Sequence, residues 1–102
     1  MALRAGINGF GRFGLHLLKY WLDRNDKSSF KISFINDDYL DIKKAYDLII
    51  KDRYVNINKY KVQVSGDFLT FLEPSGVKYE IYYTHCKQKS IPWIGKPEII
   101  FE

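Results

Sequence analysis

The sequence has one cysteine (Cys86), one methionine and three prolines. A single thiol excludes an intrachain disulfide framework and fits a reducing compartment. No apolar run approaches the roughly 20 residues a membrane-spanning helix needs, so no membrane partner is expected. The start of the chain, Met1-Ala2-Leu3-Arg4-Ala5-Gly6, lacks the apolar core of a signal peptide, and a cytoplasmic location follows as the expectation. Histidine is limited to His16 and His85, and no His/Cys/Asp spacing matches a metal site. Charge of one sign is not concentrated either. The net charge is +4, and Lys19, Lys27, Lys31, Lys43, Lys44 and Lys51 are scattered rather than gathered in a patch. No nucleic-acid partner is therefore expected.

What the chain does have is apolar and aromatic material. Hydrophobic residues make up 46% of 102 positions, including 8 Tyr, 7 Phe and 2 Trp, enough for the core of one small domain. Leu3 to Asn8 reads as a short strand, apolar except for Arg4. Arg12 to about Leu22 reads as a helix, with Phe13, Leu17, Leu18, Trp21 and Leu22 at helical spacing. Phe30 to Ile35 reads as a second strand running into Asn36-Asp37-Asp38. Asp41 is placed to cap a second helix, on which Ile42, Ala45, Tyr46, Ile49 and Ile50 form a stripe. After Asp52 the period changes to two. Tyr60, Val62 and Val64 alternate with polar residues, Phe68 to Leu72 and Val77 to Thr84 follow as strands, and Ser65-Gly66-Asp67 and Glu73 to Gly76 are turns. Ile99-Ile100-Phe101 reads as the start of a buried strand. The expected class is α/β: an incomplete Rossmann-type parallel sheet with an antiparallel strand insertion.

Between the first strand and first helix lies Gly9-Phe10-Gly11-Arg12-Phe13-Gly14, a G-x-G-x-x-G turn. Each glycine has its own physical role. Gly9 allows a sharp turn, Gly11 the close approach of a pyrophosphate, and Gly14 close packing of helix on strand. Unpaired N–H groups and the positive end of the helix dipole favour an anion there. Arg12 in the first turn is locally unfavourable unless a phosphate is near. Asp37, 26 positions beyond Gly11, ends the second strand. A carboxylate at that point accepts from ribose hydroxyls and repels a 2′-phosphate, and Asp38 strengthens the bias, so NAD is expected over NADP.

The stretch Gly6-Ile7-Asn8-Gly9-Phe10-Gly11-Arg12-Phe13-Gly14 resembles the N-terminal signature of the glyceraldehyde-3-phosphate dehydrogenase family, nearly I-N-G-F-G-R-I-G. Ile35-Asn36-Asp37, Ile91-Pro92-Trp93 and Ile99-Ile100-Phe101-Glu102 resemble later family segments in the same order. The resemblance implies that residues 1–102 are the N-terminal part of an NAD-binding domain, with the catalytic domain absent. Asn8, Gly9, Phe10, Gly11, Arg12 and Phe13 would then be cofactor-binding, with the backbone around Phe10 to Phe13 holding the pyrophosphate and Arg12 beside it. Asp37 would bind the adenosine ribose, and Asn36 would lie near the adenine side. It also implies a glycolytic, phosphorylating enzyme, a homotetramer when full length, that acts on glyceraldehyde 3-phosphate. There a cysteine thiolate attacks the aldehyde, hydride passes to NAD, and inorganic phosphate releases the acyl group. The related erythrose-4-phosphate dehydrogenase and a non-catalytic nucleotide-binding module are the alternatives.

The chain departs from the family in three places: Lys51-Asp52-Arg53-Tyr54-Val55-Asn56 replaces Tyr-Asp-Ser-x-His-Gly, Cys86 stands where an arginine is common, and Leu15 replaces a basic residue. The family's nucleophile lies beyond residue 102, so no catalytic residue is assigned and this chain alone is expected to be inactive and prone to self-association. Cys86 and His85 are sequence neighbours on an extended segment, where adjacent side chains diverge. They read as a loop cysteine beside a surface histidine.

Overall fold

A computed structural model of the chain describes residues 3–24, 30–52, 60–87 and 97–101. The elements run β1 (Leu3–Asn8), α1 (Arg12–Arg24), β2 (Phe30–Asn36), α2 (Ile42–Lys51), β3 (Lys61–Ser65), β4 (Phe68–Leu72), β5 (Lys78–Thr84) and β6 (Ile99–Phe101). Among the described residues the strands form one six-stranded sheet in the order β3-β4-β5-β2-β1-β6. β1 pairs in parallel with β2 and β6, and β2 in parallel with β5. β3–β4 and β4–β5 are antiparallel. The expected α/β class therefore holds. The third strand of the antiparallel segment has a second role as the parallel neighbour of β2, so the insertion is spliced into the main sheet. Ile91-Pro92-Trp93 lies outside the described residues.

One irregularity sets the core. The β1–β2 register shifts between Ala5 and Gly6. An extra residue in β2 breaks the strict alternation of side chains. Ile32 and Ile35 consequently both join Ala5, Ile7, Ile81 and Tyr83 in the core cluster. Phe34, also fully buried, stacks on Tyr82 at 5.7 Å instead.

The helices bury stripes that differ slightly from the expected ones. In α1 the buried residues besides Gly14 are Leu15, Leu18, Lys19, Trp21 and Leu22, whereas Phe13 is 67% exposed and Leu17 half-buried. At about 100° per residue, Phe13 sits on the side of the helix away from Leu15, Leu18 and Leu22. Lys19 takes the inward position because its ammonium has partners. Nζ lies 3.1 Å from Asp52 Oδ2 and 3.2 Å from the Asp52 carbonyl, just past the end of α2. His16 Nε2 approaches the other oxygen of Asp52 at 3.5 Å. Removing one member of a buried pair strands the other charge. Asp52 keeps some solvent access and His16, so Lys19→Ala is expected to cost about 2 kcal/mol, below the roughly 3–5 kcal/mol of a fully buried pair. The shift of the urea midpoint would measure it, and an unchanged midpoint would mean the pair holds nothing.

In α2, Asp41 caps the helix as expected, its Oδ1 accepting from Lys44 N at 2.9 Å. Ala45 and Ile49 are buried, and Ile42 and Tyr46 pack partly against the core. Ile50 is 52% exposed. It lies about 100° round from the centre of the stripe. β6 is half-buried rather than buried, with Ile100 42% exposed, because among the described residues it pairs only with β1 and so forms an edge.

Two buried tyrosines tie the layers together. Tyr60 Oη lies 2.9 Å from the Leu22 carbonyl and 3.1 Å from Glu73 Oε1, and Tyr83 donates to the Leu40 carbonyl at 2.6 Å. Burial, reinforced by Glu73, raises the Tyr60 phenol well above its ordinary range, and burial with Asp37 and Asp41 does the same for Tyr83. The folded state thus favours neutral phenols. Their contribution is complete below the unfolded value of about 10 and is lost as pH rises above it. Thermal midpoints are expected to fall steeply above about pH 10. A midpoint independent of pH across that range would contradict this.

Candidate functional site

The sheet order places β1 between β2 and β6, so connections leave on both sides of it. In open α/β sheets such a reversal opens a crevice at the carboxyl ends of the strands. The chain leaves β1 at Asn8 directly into the glycine turn, which therefore stands at the mouth of that crevice.

The three glycines have separable steric roles. Gly9 has φ +99°, a conformation L side chains rarely adopt, and its N–H donates to the Asn36 carbonyl at 2.7 Å. A Cβ on Gly14 would lie 2.7 Å from the Gly9 carbonyl oxygen and 3.1 Å from Ile7 Cγ2, so α1 is seated directly on β1. A Cβ on Gly11 would meet nothing within 4 Å. The protein fold does not require glycine there, and the open space is what a phosphate needs for close backbone approach. Leu15 N, bonded to the Gly11 carbonyl at 2.9 Å, closes the first turn of α1. The amides of Arg12, Phe13 and Gly14 precede it and are the helix's unsatisfied donors. No acidic residue occupies that first turn.

Phe10 is different from its neighbours. Its ring is fully buried against Tyr83, edge to face at 6.3 Å. Its N–H donates to Asp37 Oδ2 at 2.7 Å. Asp37 Oδ1 accepts from Tyr39 N and Leu40 N, each at 2.7 Å. One carboxylate, only 6% exposed, thus holds both the glycine turn and the turn into α2. A carboxylate has about four lone-pair positions, so roughly one on Oδ2 remains for a ligand hydroxyl.

Asn36 and Asn8 reside in a polar ladder across the strand ends. Thr84 Oγ1 and Cys86 N donate to Asn36 Oδ1 at 2.6 and 3.0 Å. Asn36 Nδ2 donates to Asn8 Oδ1 at 3.2 Å and to the Cys86 carbonyl at 3.0 Å. All four hydrogen-bonding positions of the Asn36 amide are therefore used by protein. The residue locks β1, β2 and the end of β5 together, and its side chain has no capacity left for a base. His85 lies beside it, with Nδ1 2.9 Å from the Asp37 carbonyl. Cys86 is half-buried and its backbone is held by Asn36, away from His85's contact. Arg12 is exposed at the rim, where a shallow groove of about 340 Å³ runs between Gly11, Arg12, Leu15 and His16 on one side and Leu48, Lys51 and Asp52 on the other. No cluster of metal-binding residues occurs among the described residues.

Sequence reasoning reached Asn8 to Phe13, Asn36 and Asp37, and the structure gathers them at one edge of the sheet. It missed Tyr83, Thr84 and His85, which meet this group only through the β2–β5 pairing. No helix among the described residues is long and apolar enough to cross a membrane.

No family model matches the chain. A curated glyceraldehyde-3-phosphate dehydrogenase from Podospora anserina is 31% identical over 93 residues. This chain is similar to a glyceraldehyde-3-phosphate dehydrogenase. The match takes in 91% of the chain but 26% of the relative, so the chain spans about a quarter of that enzyme's length. The six-stranded sheet, mostly parallel with an antiparallel portion, is consistent with an incomplete Rossmann-like fold.

Proposed function

We propose that the chain forms the adenosine- and pyrophosphate-binding part of a phosphorylating, NAD-dependent glyceraldehyde-3-phosphate dehydrogenase. The observation that supports this most is the division of labour in the glycine turn. Gly9 and Gly14 are demanded by the fold, while Gly11 leaves open space beside the unsatisfied amides of α1. The fit is local and physical. The amides of Arg12 and Phe13, with the Arg12 side chain, would hold the pyrophosphate. Phe10 N is committed to Asp37, which removes it from the amides expected to contact phosphate. Asp37 would accept from one ribose hydroxyl through Oδ2. NAD, when bound, supplies the hydride acceptor.

The nucleophile and the aldehyde-phosphate site would come from sequence beyond these residues, with glyceraldehyde 3-phosphate as substrate. A homotetrameric, cytoplasmic glycolytic enzyme completes the proposal. The test is a calorimetric titration of the chain with NAD and with NADP. Binding of NAD at least about tenfold tighter than NADP is expected, because Asp37 meets the 2′-phosphate. A folded chain that binds neither, or prefers NADP, would overturn the reading.

A further inference from the structure

One side chain touches both turns that Asp37 holds. The Tyr83 ring meets the Phe10 ring edge to face at 6.3 Å, and its hydroxyl donates to the Leu40 carbonyl at 2.6 Å. Phe10 belongs to the glycine turn and Leu40 to the turn into α2. Asp37 joins the same two turns, with Oδ2 on Phe10 N and Oδ1 on Tyr39 N and Leu40 N. Leu40 is thus held at its N–H by Asp37 and at its carbonyl by Tyr83. Tyr83 is only 3% exposed, and its own N–H donates to the Asp67 carbonyl at 2.8 Å, so packing and backbone both fix where the ring stands. Burial, then Asp37 and Asp41, hold the phenol above its ordinary range, and the hydroxyl remains a donor at neutral pH.

We infer that the Tyr83 hydroxyl is a positioning group for the ribose acceptor: by fixing Leu40 it sets the angle at which Asp37 Oδ2 meets a ligand hydroxyl. The inference rests on the nucleotide-binding reading above. It follows from how the carboxylate is aimed. A carboxylate is planar, so the amides that hold Oδ1 also set where the lone pairs of Oδ2 point. One of those two amides belongs to Leu40, the residue whose carbonyl is tied to β5 through Tyr83. A hydrogen bond weakens steeply as its angle closes, so a small rotation of the carboxylate costs binding without unfolding the chain. Tyr83 acts through Leu40 and Asp37 and contacts no ligand itself.

The test uses the full chain with NAD, AMP and 2′,3′-dideoxy-AMP, and two variants that each remove one buried hydroxyl. Tyr83→Phe keeps the ring against Phe10. Tyr60→Phe is the control, because its hydroxyl bonds the Leu22 carbonyl and Glu73, away from the site. The parent and Tyr60→Phe are expected to bind AMP about tenfold tighter than the dideoxy nucleotide. In Tyr83→Phe that ratio should fall to about twofold, with dideoxy-AMP bound as the parent binds it. If Tyr83→Phe keeps the parent's ratio, or loses both nucleotides equally, the hydroxyl is structural only and the inference is wrong, while NAD binding by the parent leaves the dinucleotide reading standing. A ratio that falls equally in Tyr60→Phe would trace the effect to general loosening and overturn the inference too. So would a parent that binds NAD but does not distinguish AMP from dideoxy-AMP, since Asp37 would then accept no ribose hydroxyl. If the folded parent binds neither NAD nor AMP, both readings fall.

Discussion

Asp37→Ala is expected to destabilise the chain by about 3 kcal/mol, an effect far larger than loss of a surface charge. The carboxylate accepts three backbone N–H groups, from Phe10, Tyr39 and Leu40. The bond to Phe10 is buried, so alanine leaves a donor without water or partner, at roughly 1–3 kcal/mol. The other two bonds form a turn closure of the kind made by a helix-capping side chain, worth about 1 kcal/mol or more together. A small domain has only about 5–15 kcal/mol in total. The variant should therefore unfold at a much lower urea concentration. Asp38→Ala, at an exposed neighbour, serves as the control and should stay within about 0.5 kcal/mol of the parent. Equal midpoints for the two variants would show that Asp37 is reserved for a ligand and does not staple the turns.

The second large effect separates two glycines three residues apart. Gly14→Ala places a methyl 2.7 Å from a backbone carbonyl that belongs to the turn itself. Nothing flexible can yield, because the nearest atom is backbone and the next is Ile7 Cγ2 in the core. A cost of about 3 kcal/mol is expected, the upper part of the usual range for overpacking. Gly11→Ala meets no atom within 4 Å and has no unusual φ, so its stability should match the parent or exceed it slightly, since alanine constrains the unfolded chain. Urea melts of the pair would show it directly. The opposite ranking would mean that α1 does not rest on β1 as described.

The parts of this structure that were legible in the sequence are those with a local cause. The roles of the glycines follow from three positions within six residues, and the cap at Asp41 and the antiparallel strands follow from short-range periodicity. The outward turn of Phe13 and the burial of Lys19 were not legible, because the partner that admits Lys19 is Asp52, on another element. The Asn36 ladder was hidden for the same reason. Its partners Thr84 and Cys86 are 48 and 50 positions away. The bulge that turns Phe34 away from Ile32 and Ile35 has no composition signal, since all three are apolar. At the site itself, the sequence placed Asp37 correctly at the end of β2, yet only the structure reveals that most of its accepting capacity is spent on the protein's own backbone.

The most direct test of the central claim is NAD binding to Gly11→Val measured beside its thermal midpoint. The valine Cβ enters space with no protein atom within 4 Å, which a pyrophosphate would require. The account predicts a midpoint within a few degrees of the parent and loss of at least about 100-fold in NAD affinity. A stable Gly11→Val chain that binds NAD as the parent does would show that the glycine turn is not a phosphate site.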